Sequence, residues 1–328
     1  MRPAQVEDAA RFTIKAVPPF RLDLTVWALR RRPENNMDRW DGKTFCRALV
    51  LNGNPVEIAV IQIGSMAAPR LQVTVSGVTL GHDVMAGVTE ALNRMLGLMA
   101  DLKGFYRHAA KHPKLSMLSR RFRGLKPPQF PSMLEALVNG IACQQFSIAS
   151  GVQMLNRLSE KFGIPVPGAG IRAYTFPGAE DLAALNPNVL RKLGFSRQKA
   201  QAIIELSCAI AAGNLDREGF SSLDDGSAVE QLCELRGIGR WTAEYVLLRG
   251  LGRLHIFPGD DVGARNNLER WLGLKKALDY EGVRRLIARW EPYAGLIYFH
   301  LLLYHLNETG YLSSPKITHS KGRSEYRR

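Results

Sequence analysis

The segment that most constrains this chain spans residues 235–261 and reads LRGIGRWTAEYVLLRGLGRLHIFPGDD. Gly237 and Gly239 have no Cβ, so the backbone can turn tightly there and approach another molecule closely. The strong helix formers that follow predict a helix whose apolar positions recur at helical spacing: Trp241, Tyr245 and Leu248. A glycine hairpin that opens a helix exposes backbone N–H groups at the positive end of the helix dipole. This arrangement favours the binding of an anion.

The length and charge of the chain bound its class. Its 328 residues leave room for two or three compact units, and 46% apolar residues are typical of a globular protein. The net charge of +14 fits a polyanionic partner. No apolar run is long enough to cross a membrane, and the first residues lack the apolar core of a signal peptide. We therefore expect no membrane contact and a cytoplasmic protein, associated with the nucleoid if the organism is bacterial.

Residues 1–112 are predicted to form an α+β N-terminal domain with an antiparallel sheet and a covering helix. Alternation over residues 20–26 predicts a strand. Apolar runs at 45–51 and 56–60 on either side of an Asn-Gly-Asn-Pro turn predict a hairpin, and residues 71–75 predict a further strand. From 83 to 99, apolar residues on one helical face predict the covering helix.

A basic, proline-rich stretch over residues 101–131 indicates a domain boundary, which we place after residue 112. Residues 113–312 are predicted to be all helical. Ser132 and Glu135 have the spacing of a capping box at a helix start. Further helices are predicted over 147–162, from 199 to about 212, and as a pair over 284–306 that is interrupted near Pro292. Residues 313–328 are basic and are predicted to be a disordered tail.

The pattern of residues 235–261, together with residues 141–147 (IACQQFS), resembles the helix-hairpin-helix DNA glycosylase superfamily, in particular the 3-methyladenine DNA glycosylase II type. The resemblance covers most of residues 12–310. It implies an all-α helix-hairpin-helix domain after the α+β domain. It also implies an enzyme that flips a damaged base out of duplex DNA and hydrolyses its N-glycosidic bond.

The resemblance implies that Asp261 is the catalytic carboxylate, because it stands at the family's spacing after the hairpin. Such a group would stabilise an oxocarbenium-like sugar and position or deprotonate a water. The alternative is that one of the two adjacent aspartates only caps the next helix. We assign the cap to Asp260 and catalysis to Asp261.

By the same resemblance, Trp241 and Tyr245 would line the base pocket, where aromatic faces attract an electron-poor alkylated ring. The alternative is that both rings belong to the core. The family's third pocket tryptophan aligns with Leu302, which leaves the substrate range open. Trp27 could lend a side wall to the pocket, although it could equally be a core residue.

The resemblance places a DNA phosphate on the N–H groups of Gly237, Gly239 and Thr242. It places Gln144 and Gln145 against DNA, with Gln145 filling the gap left by the flipped base. Alternatively, the two glutamines make ordinary hydrogen bonds at a helix end. Family members often hold a monovalent cation on hairpin carbonyls, which here would be those of Cys233, Leu235 and Gly237.

Other family features are expected to be absent. The bifunctional relatives use a lysine nucleophile where this chain has Trp241, so we expect a monofunctional glycosylase that uses water. Beyond Cys233 the sequence contains no cysteine, so we expect no iron–sulfur cluster and no side-chain metal site. The four cysteines are predicted to be reduced, and His300 is predicted to be a core residue.

The sequence therefore predicts a monomeric enzyme that excises alkylated purines, of the 3-methyladenine and 7-methylguanine type, from duplex DNA and so initiates base excision repair. Two alternatives remain. One is the same scaffold acting on a deaminated or oxidised purine, which Leu302 and Gln145 leave open. The other is a non-catalytic protein that binds damaged DNA through the hairpin alone.

Overall fold

The computed structural model describes residues 10–77, 81–166 and 172–312. It begins with an antiparallel five-stranded sheet in the order β1-β5-β4-β3-β2. The elements of this part are β1 (Ala10–Lys15), α1 (Leu22–Arg30), β2 (Arg39–Trp40), β3 (Thr44–Leu51), β4 (Asn54–Gln62), β5 (Arg70–Ser76) and α2 (His82–Leu96). The β3–β4 hairpin pairs Leu51 with Asn54, and α2 packs on the sheet, which confirms the predicted α+β domain.

The predicted strand over residues 20–26 is wrong, because this segment belongs to helix α1. The helix is buried on two sides. Leu22, Val26 and Leu29 point into the core under the sheet, while Leu24 and Ala28 point into a second core formed by C-terminal helices. Each set follows helical spacing, but read together they alternate like a strand.

The rest of the chain is helical except for one two-stranded ribbon, in the part that the structure describes. Its first helices are α3 (Lys103–Ala109), α4 (Pro113–Arg121), α5 (Met133–Cys143) and α6 (Ile148–Phe162). The ribbon is formed by β6 (Pro165–Val166) and β7 (Ala173–Tyr174). There follow α7 (Ala179–Ala183), α8 (Pro187–Arg191), α9 (Arg197–Ala211), α10 (Arg217–Ser221), α11 (Asp225–Glu234), α12 (Arg240–Arg249), α13 (Val262–Leu272), α14 (Tyr280–Ile287), a 3₁₀ turn (Ala288–Trp290) and α15 (Ala294–Glu308).

Helix α5 begins at the predicted place, but only half of the predicted capping box forms. Ser132 Oγ accepts the backbone N–H of Glu135 at 3.1 Å. The Glu135 side chain does not return to Ser132. Instead its carboxylate binds Arg47 of β3 at 2.6 Å, and Arg47 also binds Asp38 at 2.7 Å. All three side chains are buried, so an ion-pair network joins the sheet to the helices.

Two helical cores flank the hairpin segment. One is built mainly from α5, α6, α9 and α12, and the other mainly from α3, α4, α13, α14 and α15.

Helix α3, which lies before residue 112, packs in the second core beside α15. The domain boundary near residue 112 remains a prediction, and the predicted tail lies outside the described residues. Among the described residues, no helix combines the length and the apolar character needed to cross a membrane.

Candidate active site and DNA interface

The predicted hairpin joins α11 to α12. Gly237 adopts φ +77°, and a Cβ on it would lie 2.8 Å from the Cβ of Ala202, so both conformation and space call for glycine there. Gly239 is exposed and stands at the N-cap of α12 without a side chain. The first N–H groups of α12 therefore face outward with no capping side chain, which suits them to an anion.

Gln144 braces this hairpin rather than reaching outward. Its Nε2 donates to Gly237 O at 2.7 Å and to Thr242 Oγ1 at 2.8 Å. Thr242 is 1% exposed, so its hydroxyl faces Gln144. The Lys199 ammonium in turn donates to Gln144 O at 2.6 Å and fixes the loop after α5. The loop and the hairpin thus form one continuous surface.

Gln145 lies at the exposed tip of the loop between α5 and α6. Its φ is +55°, a conformation that few non-glycine residues adopt. The next residue, Phe146, is 50% exposed. Of the two predicted glutamines, Gln145 is therefore the one whose side chain is presented to solvent beside the hairpin.

Asp261, and not Asp260, caps helix α13. Asp261 Oδ1 accepts the backbone N–H of Ala264 at 2.8 Å, and Oδ2 accepts a hydrogen bond from Tyr298 Oη at 3.1 Å. Asp260 binds Arg240 at 2.8 Å instead. The prediction that Asp260 caps the helix is therefore wrong. Capping uses one oxygen of the Asp261 carboxylate, and the other oxygen remains available for a second contact, here with Tyr298.

The loop that carries Asp261 is tied to helix α12. Glu244 Oε2 accepts the N–H of Gly259 at 3.1 Å, and Glu244 Oε1 accepts a hydrogen bond from Tyr280. Burial raises the pKa of Glu244 above its ordinary value, and these two hydrogen bonds partly oppose that rise. Because α12 also begins at the hairpin, one helix positions both the N–H groups after the hairpin and the loop that carries Asp261.

The two predicted pocket aromatics lie one helical turn apart on α12, with ring centroids 5.6 Å apart. Trp241 is half-buried, whereas Tyr245 is only 2% exposed and lies in the core beneath it. Tyr245 therefore packs beneath Trp241 and has almost no exposed ring face on which a base could stack.

Four further residues around Tyr245 and Asp261 escaped the sequence analysis. Tyr245 Oη accepts a hydrogen bond from Arg31 at 3.0 Å and donates one to Asn139 at 3.2 Å. Tyr298 donates a hydrogen bond to Asp261, and Glu244 holds the loop that carries Asp261. Leu302, at the family's tryptophan position, lies one turn after Tyr298 on α15 and is partly buried. That spacing was the one signal in the sequence that could have pointed to Tyr298.

Trp27 packs at the C-terminal end of α15. Its ring stacks on Tyr311 at a centroid distance of 6.1 Å, and the Tyr311 N–H donates to Leu306 O at the end of that helix. Tyr298 lies eight residues before Leu306, which is about 12 Å along the helix axis. A role for Trp27 as a side wall of the base pocket stays a prediction.

The carbonyls proposed for a monovalent cation lie where α11 ends and the hairpin turns. Leu235 O accepts the N–H of Ile238 at 3.1 Å, and Gly237 O accepts the Gln144 amide. Each carbonyl has a second lone pair, and carbonyls at a helix C-terminus favour a positive charge, so the residues fit such an ion. Among described residues, no three His, Cys, Asp or Glu side chains form a metal-binding group.

Fold and site together define a helix-hairpin-helix protein with an aspartate at the N-terminus of α13, the next helix after α12. Residues 138–292 match the profile of the HhH-GPD superfamily base excision DNA repair proteins. Residues 138–292 therefore form an HhH-GPD domain.

Known proteins of this kind resemble most of the chain. A DNA-3-methyladenine glycosylase of Bacillus subtilis is 29% identical over 214 residues, which are 65% of this chain and 71% of the relative. DNA-3-methyladenine glycosylase 2 of Escherichia coli is 29% identical over 178 residues, 54% of this chain and 60% of the relative. The solved structure of the 3-methyladenine DNA-glycosylase from Archaeoglobus fulgidus superposes with a TM-score of 0.76 at 28% identity, covering 89% of this chain and 98% of that one.

Proposed function

We propose that this protein is a monofunctional DNA N-glycosylase that removes alkylated purines, of the 3-methyladenine and 7-methylguanine type, from duplex DNA. One observation carries the proposal: α12 begins at the glycine hairpin and holds, through Glu244, the loop on which Asp261 stands. A phosphate on the hairpin would therefore place its nucleotide at a fixed distance from the carboxylate. The names of the relatives support the lesion class.

The reaction breaks the bond between C1′ and the purine nitrogen, and both electrons leave with the base. The sugar develops positive charge, which the Asp261 carboxylate would stabilise while Tyr298 holds its orientation. A water then forms the new C1′–O bond and loses its proton to Asp261. Position 241 is a tryptophan and provides no amine, so the proposed product is an abasic site without strand cleavage.

DNA is the proposed partner of a monomer. The N–H groups of Gly237, Gly239 and Thr242 would hold one phosphate, and Gln145 would occupy the gap in the base stack. A monovalent cation on the carbonyls of Cys233, Leu235 and Gly237 would add positive charge near that phosphate. No other cofactor enters the proposal.

The test is to incubate the protein with methylated duplex DNA and identify the released bases by mass. We expect free 3-methyladenine and 7-methylguanine, an intact abasic strand, and binding that weakens as salt rises. Release of only hypoxanthine or an oxidised purine from matched duplexes would move the protein to a different lesion. Tight binding of damaged duplex with no base released would indicate a non-catalytic damage sensor.

A further inference from the structure

One buried lysine holds the loop between α5 and α6, at whose tip Gln145 stands. Lys199 is the third residue of α9, and it is 8% exposed. Its ammonium donates to Gln144 O at 2.6 Å and to Ala142 O at 3.3 Å. The same Nζ lies 4.3 Å from the centroid of the Phe146 ring. Lys199 thus contacts the residue on each side of Gln145.

These partners suit an ammonium group. Helix α5 ends at Cys143, so the carbonyls of Ala142 and Gln144 lie at its C-terminal end, where the helix dipole is negative. A lysine has three N–H donors and no acceptor, and the face of an aromatic ring attracts its charge. Hydrogen bonds from a charged donor are stronger than those between neutral groups, and burial keeps water from competing for them. The ammonium therefore restricts the loop from both sides of the tip.

The tip of the loop is held in a conformation that is unfavourable by itself. Gln145 has φ +55°, in the left-handed region that disfavours residues with a Cβ. Such a conformation persists only where the surrounding contacts determine it. The contacts that determine it here belong to its neighbours: Lys199 binds on both sides, and the Gln144 amide binds the hairpin at Gly237 O.

A preformed tip favours base flipping. A side chain that enters the base stack must be ordered, and a loop that already has the inserted conformation loses less conformational entropy on insertion. Without the ammonium, Gln145 could relax out of the left-handed region, and the loop would have to be reordered at each flipping event. The reaction at Asp261 would not change, because Glu244 on α12 holds the loop that carries this carboxylate.

We propose that Lys199 is a positioning residue for base flipping, which holds the loop on both sides of Gln145 so that this side chain faces the DNA ready for insertion. The inference rests on the proposed glycosylase function. It names a residue of α9 that acts through Gln145 without contacting the base. It also assigns Phe146 to the same clamp, since its half-exposed ring lies against the ammonium.

The rate test compares Lys199→Met, which keeps an apolar stem without the charge, with Lys199→Arg, which keeps a charged donor. Single-turnover excision of 7-methylguanine is measured in a paired duplex and in an unpaired bubble. For Lys199→Met, we expect excision to be roughly tenfold slower in the paired duplex and near wild type in the bubble. Lys199→Arg should recover most of the loss. Lys161→Met is the matched control, because that ammonium also lies over a phenylalanine, Phe162 at 5.6 Å, but at the far end of α6.

Two further measurements separate positioning from packing. A 2-aminopurine placed beside 7-methylguanine on a 2′-fluoro sugar, which resists cleavage, becomes more fluorescent as the stack opens. We expect a smaller rise with Lys199→Met than with wild type. In a Gln145→Gly background, Lys199→Met should slow excision from the paired duplex by less than about twofold, because the lysine acts through the side chain already removed.

Equal losses in the paired and bubble substrates, an undiminished loss in the Gln145→Gly background, or a fluorescence rise equal to that of wild type would overturn the inference. If urea unfolding shows that Lys199→Met does not fold, Lys199→Gln takes its place with the same expected losses. If wild type releases no base while the fluorescence rise still falls in Lys199→Met, the proposed reaction fails but the positioning role of Lys199 stands.

Discussion

Tyr298 Oη donates a hydrogen bond to Asp261 Oδ2 at 3.1 Å, while the other carboxylate oxygen of Asp261 caps α13. The carboxylate is therefore held at both oxygens, from two helices that are far apart in the sequence. Burial keeps the Tyr298 phenol protonated, because its pKa is raised well above the ordinary value. The phenol thus remains a donor at every pH at which the protein would work.

Tyr298→Phe removes this donor and leaves the ring in place. We expect the single-turnover excision rate to fall by roughly tenfold, the effect of about 1.4 kcal/mol in the barrier, with little change in DNA affinity. Tyr304→Phe, on the same helix but with a hydroxyl away from Asp261, serves as the control. Equal rates in wild type and Tyr298→Phe would show that the hydrogen bond does not orient the carboxylate.

Gln145→Gly tests the residue proposed to fill the base stack. Glycine tolerates the φ of +55° observed there, so the side chain is removed without backbone strain. We expect slower excision of a lesion in paired duplex, and recovery of the rate when the lesion lies in an unpaired bubble that needs no flipping. A loss that is the same in both substrates would argue against a role in base flipping.

Glu135→Gln tests the buried network that joins sheet and helices. The substitution removes the charge of Glu135 and leaves the buried Arg47 with one of its two carboxylate partners, Asp38. We therefore expect the free energy of unfolding to fall by about 3 kcal/mol in urea titrations. The comparison is Glu90→Gln, which removes an ion pair with Arg94 in which the glutamate side chain is 76% exposed. That change should cost less than about 1 kcal/mol. Similar losses in the two variants would contradict the account.

His300 gives the fold a defined sensitivity to acid. It is fully buried, and burial lowers its pKa to about 4, while the bond to Leu296 O opposes this shift. The unfolded chain gains a proton on this residue near pH 6.5, whereas the folded chain does not until about pH 4. The contribution of neutral His300 to the free energy of unfolding is therefore complete above pH 6.5, and it declines as the pH falls toward 4.

His300→Leu should remove that decline. We expect wild type to lose up to about 3 kcal/mol more than the variant between pH 6.5 and 4, measured by urea unfolding at each pH. Carboxylates titrate in both proteins, so the difference between the two curves isolates the histidine. Parallel curves would show that His300 is not held neutral.

The sequence predicted most elements whose residues face a single core. The hairpin β3–β4, helix α2 and the start of α5 at Ser132 follow from local pattern and turn chemistry alone. Helix α1 did not follow, because it packs on two cores at once. Its burial pattern, with Leu22 and Val26 on one side and Leu24 between them on the other, hides the helical period.

At the site, sequence reasoning reached residues within the two family motifs, residues 141–147 and 235–261, and missed most of those that lie outside both motifs. Gly237 and Trp241 were predicted because they share one short motif with Asp261. Arg31 lies 214 residues from its partner Tyr245, and Tyr298 lies 37 from Asp261. For Tyr298 the one sequence signal was its spacing from Leu302, and for Arg31 there was none. The use of both oxygens of the Asp261 carboxylate also depends on how α13 and α15 pack.

The measurement that tests the central claim most directly is single-turnover excision of 7-methylguanine from duplex DNA by wild type, Asp261→Asn and Asp260→Asn. Asparagine still accepts the Ala264 N–H, so the Asp261 variant keeps its cap, while the Asp260 variant removes the neighbouring negative charge. We predict a loss of roughly 10²–10³ in rate for Asp261→Asn with DNA affinity retained, and near-normal excision for Asp260→Asn. Full activity in Asp261→Asn, or an equal loss in both variants, would contradict the assignment of Asp261 as the catalytic carboxylate.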